Sequence, residues 1–317
     1  MKILITGAAG FIGSHLAEKL VDLGHSVTGL DSFTDYYSPQ LKRLNAADLV
    51  SKGVSIIEKD LTAPDLNNEI SGFDVIYHLA AQPGISATTP FESYLRNNII
   101  ATQNLISSVP NDLKLFVNIA TSSVYGAHAT DNEDAAPKPT SHYGVTKLAA
   151  EQLVMALNRD KGFPAVSMRL FSVYGERERP EKLYPKLINS ILNDKEFPLY
   201  EGSEHHLRSY SYVGDIVDGL SAVLEDSAQF TGQIFNIGTD KAITTGEGIK
   251  IVEDILGKKA KIVVKPKRPG DQKETHANID KARRMFSYDP VTLPEEGLRR
   301  EVEWFKDKIW KKINLYQ

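Results

Sequence analysis

The chain begins with a short apolar run, Lys2-Ile-Leu-Ile-Thr6, which breaks at Gly7 and is followed by Ile12, Leu16, Leu20 and Leu23 at helical spacing. The period therefore changes from that of a buried strand to that of an amphipathic helix across a glycine turn. Apolar runs recur at 26–30, 54–57, 74–78, 114–119 and 165–169, and each is preceded by a helical or loop segment that can cross over a sheet. Strands alternating with helices predict an α/β fold built on a doubly wound parallel sheet. From about Gly175 short strands mix with helices around Arg208, Asp215 and Arg268-Pro-Gly-Asp271, which predicts a smaller mixed α/β lobe. Asn236 and Ile237 are apt to return to the large sheet. Near the end, Leu298, Val302, Trp304, Phe305 and Trp310 repeat at helical spacing and are expected to pack one last helix.

Composition narrows the class of protein. At 317 residues the chain is longer than a usual single domain, and with 41% hydrophobic and 25% charged residues it reads as ordinary globular material. A net charge of -4 argues against a nucleic-acid or anionic-membrane surface. The absence of cysteine removes disulfides, thiolate metal sites and a cysteine nucleophile. No apolar run approaches the ~20 residues of a membrane span, and no leader-like segment precedes the first strand, so the cytoplasm is the expected location. His205-His206 has no third ligand at metal spacing and reads as a solvated loop.

Open parallel sheets bind ligands beyond the carboxyl ends of their strands, so the residues at those ends carry the chemistry. Gly7-Ala-Ala-Gly10-Phe11-Ile12-Gly13 follows the first strand and opens a helix, a turn in which the backbone can approach a pyrophosphate and the helix N-terminus can hold its charge. Asp31 ends the second strand, where a carboxylate bonds the adenosine ribose and repels a 2′-phosphate, so NAD is expected over NADP. Tyr143 and Lys147 stand four apart and share a helix face. A cation beside a phenol favours the phenolate, so the pair is expected to act as a base toward a sugar hydroxyl.

Taken in order, Thr6-Gly-Ala-Ala-Gly-Phe-Ile-Gly13, Asp60-Leu61, His78-Leu-Ala-Ala81, Thr121-Ser-Ser-Val-Tyr-Gly126, Tyr143-Gly-Val-Thr-Lys147 and Arg268-Pro-Gly-Asp271 resemble the extended short-chain dehydrogenase/reductase family, in its nucleotide-sugar epimerase/dehydratase branch. Segments 31–42 and 171–180 further resemble those of UDP-glucuronate 4-epimerases. The resemblance implies a Rossmann domain over residues 1–174 that binds NAD, with 234–238 as a late addition to its sheet, and a nucleotide-sugar lobe over 175–317. It implies Thr121, Tyr143 and Lys147 as the catalytic set. Gly7, Gly10, Phe11, Ile12, Gly13, Asp31, Asp60, Leu61, Leu79, Ala80, Ala81 and Asn98, with Tyr143 and Lys147, would hold the cofactor. Thr121, Ser122, Ser123, Tyr143, Ser172, Arg179, Arg208, Arg268 and Asp271 would contact a UDP-sugar.

The implied reaction is C4 epimerisation through a 4-keto sugar, with UDP-glucuronate and UDP-galacturonate as the pair. UDP-glucose and UDP-N-acetylglucosamine are alternative substrates, and UDP-glucuronate decarboxylation or a non-catalytic NAD-binding role are further alternatives. Ser122 and Ser123 stand where dehydratases of the branch carry an Asp-Glu pair, which favours simple epimerisation. Arg179 is the candidate partner of a uronate carboxylate. After it the chain continues Pro180-Glu181-Lys182, where the uronate epimerases continue with Asp-Met. Ala101, Leu105, Ala149 and Ala150 flank two helices that family members use to form homodimers, and ordinary core is the other reading of those faces.

Overall fold

The computed structural model of the chain describes residues 1–86, 88–267 and 274–313. Seven strands form its large sheet: β1 (Lys2–Thr6), β2 (Ser26–Asp31), β3 (Ser55–Glu58), β4 (Val75–His78), β5 (Leu115–Thr121), β6 (Ala165–Leu170) and β7 (Ile234–Ile237). Their order is β7-β6-β5-β4-β1-β2-β3, and every pairing is parallel. The chain therefore winds outward one way from β1 to β3 and the other way from β4 to β7. The reversal between β1 and β4 is a switch point, where the connections leave a crevice at the carboxyl ends. All four residues of β4 and all seven of β5 are buried, as expected of central strands covered by helices on both faces. That burial explains why these strands read as continuous apolar runs and not as alternating ones.

The predicted strands form at their expected places with ends shifted by one or two residues, and Thr121, expected just after its strand, is the last residue of β5. Helix α1 (Phe11–Asp22) covers one face with Leu16, Ala17 and Leu20 inward. Helix α2 (Pro39–Ser51) follows β2, and helix α3 (His142–Lys161) packs on β5 and β6. Segment 91–108 is one continuous helix whose middle, Leu95–Ile100, widens into a π-helical stretch. Ala101, Leu105 and Ala150 are buried within the single chain, so at these positions the helices serve its own core.

The late residues divide their loyalties. Ile234–Ile237 joins the large sheet as β7, whereas Leu207–Arg208 lies in a small mixed sheet between Ile243–Thr244 and Glu274–Thr275, with His128–Ala129 at its edge. A separate parallel ribbon pairs Glu196–Tyr200 with Lys261–Lys265. Helix Pro294–Trp304 buries Leu298 and Val302 and continues into a π-helical turn that buries Phe305 and Ile309, while Trp304 and Trp310 are only partly covered. Among the described residues no helix is long and apolar enough to cross a membrane.

Candidate active site

The turn from β1 into α1 is held by backbone geometry. Gly7 N–H donates to the Leu30 carbonyl at 2.8 Å, and a Cβ added at Gly13 would stand 2.3 Å from the Gly7 carbonyl oxygen. Only glycine lets α1 start this close to the turn. Gly10 caps α1 without any side-chain hydrogen bond, so its first N–H groups and the positive end of its dipole are available to an anion. Gly13→Ala is expected to cost about 1–3 kcal/mol of stability through overpacking. The same variant should weaken NAD binding, and thermal unfolding with and without NAD measures both effects.

Asp31 sits 8% exposed at the end of β2, where its carboxylate accepts the N–H of Ala9 at 3.0 Å and of Phe33 at 2.8 Å. Those two bonds fix the acid beside the glycine turn. Asn45 on α2 adds a bond to the Ala9 carbonyl at 2.9 Å. These features fit a dinucleotide: an uncapped helix end for the pyrophosphate and, one strand over, an anchored carboxylate for a ribose diol.

The opposite wall comes from β5 and α3. Ser141 caps α3 by accepting the Gly144 N–H at 3.0 Å, which starts the helix just before Tyr143. Gly144 lets this helix end lie against the turn after β5, since a Cβ there would meet the Ser123 carbonyl at 2.7 Å. That close approach brings Tyr143 into a side-chain hydrogen bond with Thr121. Lys147, 4% exposed, follows one turn later on the same face.

The electrostatics differ from the sequence-based expectation. Burial raises the Tyr143 phenol above its ordinary value, and the groups that pull it back are Thr121 and Arg179, with Lys147 not among them. Lys147 is itself lowered to about 8, by burial first, with Glu151 opposing. Burial and the Lys147 charge lower His78 to about 3, so it stays neutral between the hydroxyls of Thr6 and Thr102, each 2.9 Å from a ring nitrogen.

The two walls enclose a single cleft of about 430 Å³. Its lining contains Gly7, Gly10, Phe11, Ile12, Gly13, Asp31, Asp60, Leu61, Leu79, Ala80 and Ala81 on the glycine-turn side, and Thr121, Ser122, Ser123, Tyr143, Lys147, Ser172 and Arg179 on the other. Two expected residues stand elsewhere. Asn98 is buried behind the wall, its amide bonded to Gln82 N–H at 2.7 Å and to Thr146 Oγ1 at 3.0 Å, so it braces the lining without forming it. Arg208 belongs to the small sheet and is not part of the lining. Arg268 and Asp271 lie outside the described residues.

The cleft also takes in residues that motif reading passed over: Gln82, Asn97, Lys42, Glu178 and Lys182. Lys42 donates to the carbonyl and hydroxyl of Thr34, both at 2.8 Å. Glu178 and Lys182 belong to the charge run 176–182, of which the sequence singles out Arg179. Its neighbour Arg177 fixes the run in place. Arg177 adopts φ 68 and ties the loop to α1 and α2 through Glu18 at 2.7 Å and Asp48 at 3.5 Å. His15 adds a bond to the Glu176 carbonyl at 2.8 Å. The loop is thereby held over the cleft.

Comparison with known proteins agrees with this geometry. The sequence profile of the NAD dependent epimerase/dehydratase family matches residues 3–238. A Bacillus subtilis protein described as an uncharacterized UDP-glucose epimerase is 37% identical over 310 residues, 96% of this chain and 98% of that one. UDP-glucuronate 4-epimerase 4 of Arabidopsis thaliana is 35% identical, over 96% of this chain and 75% of its own. The crystal structure of the Bacillus cereus UDP-glucuronic acid 4-epimerase with UDP-glucuronic acid and NAD superposes with a TM-score of 0.91 at 36% identity, over 97% of this chain and 99% of the other. The family match, with a Rossmann sheet and its glycine turn on one wall of the cleft and Thr121, Tyr143 and Lys147 together on the other, places this chain in the NAD dependent epimerase/dehydratase family, as an NAD-using nucleotide-sugar epimerase.

Proposed function

We propose that the protein interconverts UDP-glucuronate and UDP-galacturonate. The observation that carries this reading is the set Thr121, Ser122, Ser123, Tyr143 and Arg179 around one cleft: a base, three neutral hydroxyls and a cation. NAD, when bound, supplies the acceptor and later the donor of the hydride at the sugar's C4. Tyr143 takes the 4-hydroxyl proton and returns it to the epimer, while the Thr121 hydroxyl stabilises the oxygen as it becomes a ketone. Lys147 holds the nicotinamide ribose and keeps a positive charge near the phenol. Gly7 to Gly13 and Asp31 would hold the pyrophosphate and adenosine ribose. Arg208 and Arg268 are assigned to the substrate diphosphate and Asp271 to the uridine ribose on motif correspondence alone.

A uronate imposes a constraint that a neutral sugar does not. Oxidation at C4 yields a β-keto acid, which loses carbon dioxide unless its carboxylate is held out of the geometry for cleavage. Arg179 is the group for that task, since its planar fork can take both carboxylate oxygens. Ser122 and Ser123, in place of acid and base groups, leave the intermediate without a proton source for elimination. A homodimer in the cytoplasm is part of the same reading, with the exposed Ile100 and Val145 as the apolar side chains a second copy would cover.

Proton NMR of the protein with NAD and, separately, UDP-glucuronate, UDP-glucose and UDP-N-acetylglucosamine tests the assignment. Growth of the galacto-configured uronate signal without any pentose signal is the expected result. Turnover confined to a neutral sugar would retain the mechanism and overturn the substrate. Arg179→Ala is expected to raise the KM for UDP-glucuronate by about tenfold or more, the scale of a lost hydrogen bond to a charged group. The same variant should release decarboxylated product.

A further inference from the structure

Arg179 does not face the cleft as an isolated cation. Its Nη1 lies 2.8 Å from Glu181 Oε1, its guanidinium carbon stands 5.6 Å from the centre of the Tyr36 ring, and its Nη2 lies against Gly84. Three loops, after β2, β4 and β6, thus meet on this one side chain. The ion pair is close but poorly directed: Nη1 is buried and has no aligned hydrogen-bond acceptor among the described residues. Charged hydrogen bonds weaken steeply when the N–H does not point at its acceptor, and the strong arrangement is the two-pronged one.

The two partners also differ in their access to water. The Arg179 side chain is 12% exposed, and that of Glu181 is 45% exposed. Glu181 can rehydrate by leaving, whereas Arg179, enclosed by Tyr36 and Gly84, stays. A second carboxylate arriving through the cleft can therefore replace a misaligned bond with an aligned one, at the cost of a half-solvated pair.

We infer that Glu181 is an internal carboxylate ligand of Arg179 that a uronate substrate displaces, so that Glu181 sets how strongly the enzyme prefers a charged sugar over a neutral one. This rests on the reading that Arg179 receives the uronate carboxylate. A neutral sugar leaves the Arg179–Glu181 pair closed and meets a wall without net charge. A uronate must open it, and its apparent affinity is lowered by the work of doing so.

Glu181→Gln keeps the shape and removes the competing charge. The expected result is a KM for UDP-glucuronate lowered about two- to fivefold, the scale of a half-exposed ion pair, with the KM for UDP-glucose unchanged. An equal change for both sugars, no change for either, or a higher KM for the uronate would overturn the inference. Arg179→Ala, measured in parallel, separates the two layers. If it leaves the uronate KM unchanged, the role of Arg179 itself fails. If it raises that KM while Glu181→Gln has no selective effect, only the role of Glu181 fails. Circular dichroism of Glu181→Gln and a second variant, Glu181→Ala, exclude a folding defect as the cause of either result.

Discussion

Tyr143→Phe is expected to lower kcat for epimerisation by about 100- to 10,000-fold, the usual contribution of a positioned acid or base. The substitution removes one oxygen and keeps the ring, whose centre lies 6.4 Å from that of Tyr94 in a tilted contact. Packing, bound NAD and the KM for the UDP-sugar should therefore change little, so the loss belongs to the chemical step. Because burial holds the phenol above its ordinary value, the wild-type rate should climb with pH on the alkaline side of neutrality. Thr121→Val should push the phenol higher still, since the Thr121 hydrogen bond favours the ionised form. A Tyr143→Phe protein that kept more than a tenth of wild-type kcat would require a different base.

The second large effect lies behind the site. Glu151 stands one turn beyond Lys147 on α3 and is fully buried, and its carboxylate takes both Arg169 Nη2, at 2.7 Å, and Arg169 Nε, at 3.0 Å. Ser167 Oγ adds a bond at 3.1 Å, and Arg169 Nη1 reaches the Tyr125 hydroxyl at 2.8 Å, which in turn donates to Asn236 on β7. One buried pair thus links α3, β6, β7 and the turn after β5. Removing a single partner strands a charge away from water, so Arg169→Ala or Glu151→Ala is expected to cost about 3–5 kcal/mol of stability. Denaturant unfolding checks this, and a loss below ~1 kcal/mol would mean that water reaches the pair.

Glu151→Gln carries a catalytic signature as well. Burial already lowers Lys147 to about 8 and Glu151 opposes that shift, so removing the carboxylate should lower Lys147 further. The climb of activity with pH should then level off at lower pH, as the ammonium loses its proton sooner. The stability sign is separate. With a folded value below the ordinary 10.5, the native state sheds this proton first, so the Lys147 contribution to stability rises with pH between about 8 and 10.5. Below 8 the burial cost of the charge is fully present.

The sequence by itself determined the elements whose information is local. A strand buried on both faces, as β5 is, must be a continuous apolar run, and a helix start packed against a turn must be glycine at Gly13, so both are visible as letters. Tyr143 and Lys147 were legible for the same reason, since four residues of helix place them on one face without help from the rest of the chain.

Tertiary structure decided everything that depends on which loops meet. Asn98, a cofactor contact by resemblance, spends its amide on Gln82 and Thr146, partners 16 and 48 residues away that only the fold brings to it. The sequence singles out Arg179 in the charge run 176–182, but what holds the run over the cleft is Arg177, which finds Glu18 and Asp48 across 159 and 129 residues of chain. Ala101, Leu105 and Ala150 have small or apolar side chains that suit an interface or a core equally, and only the packing of their helices in one chain buries them. The value of Lys147 was decided there too: its burial depends on the walls around it, and spacing along a helix says nothing of how much water those walls exclude.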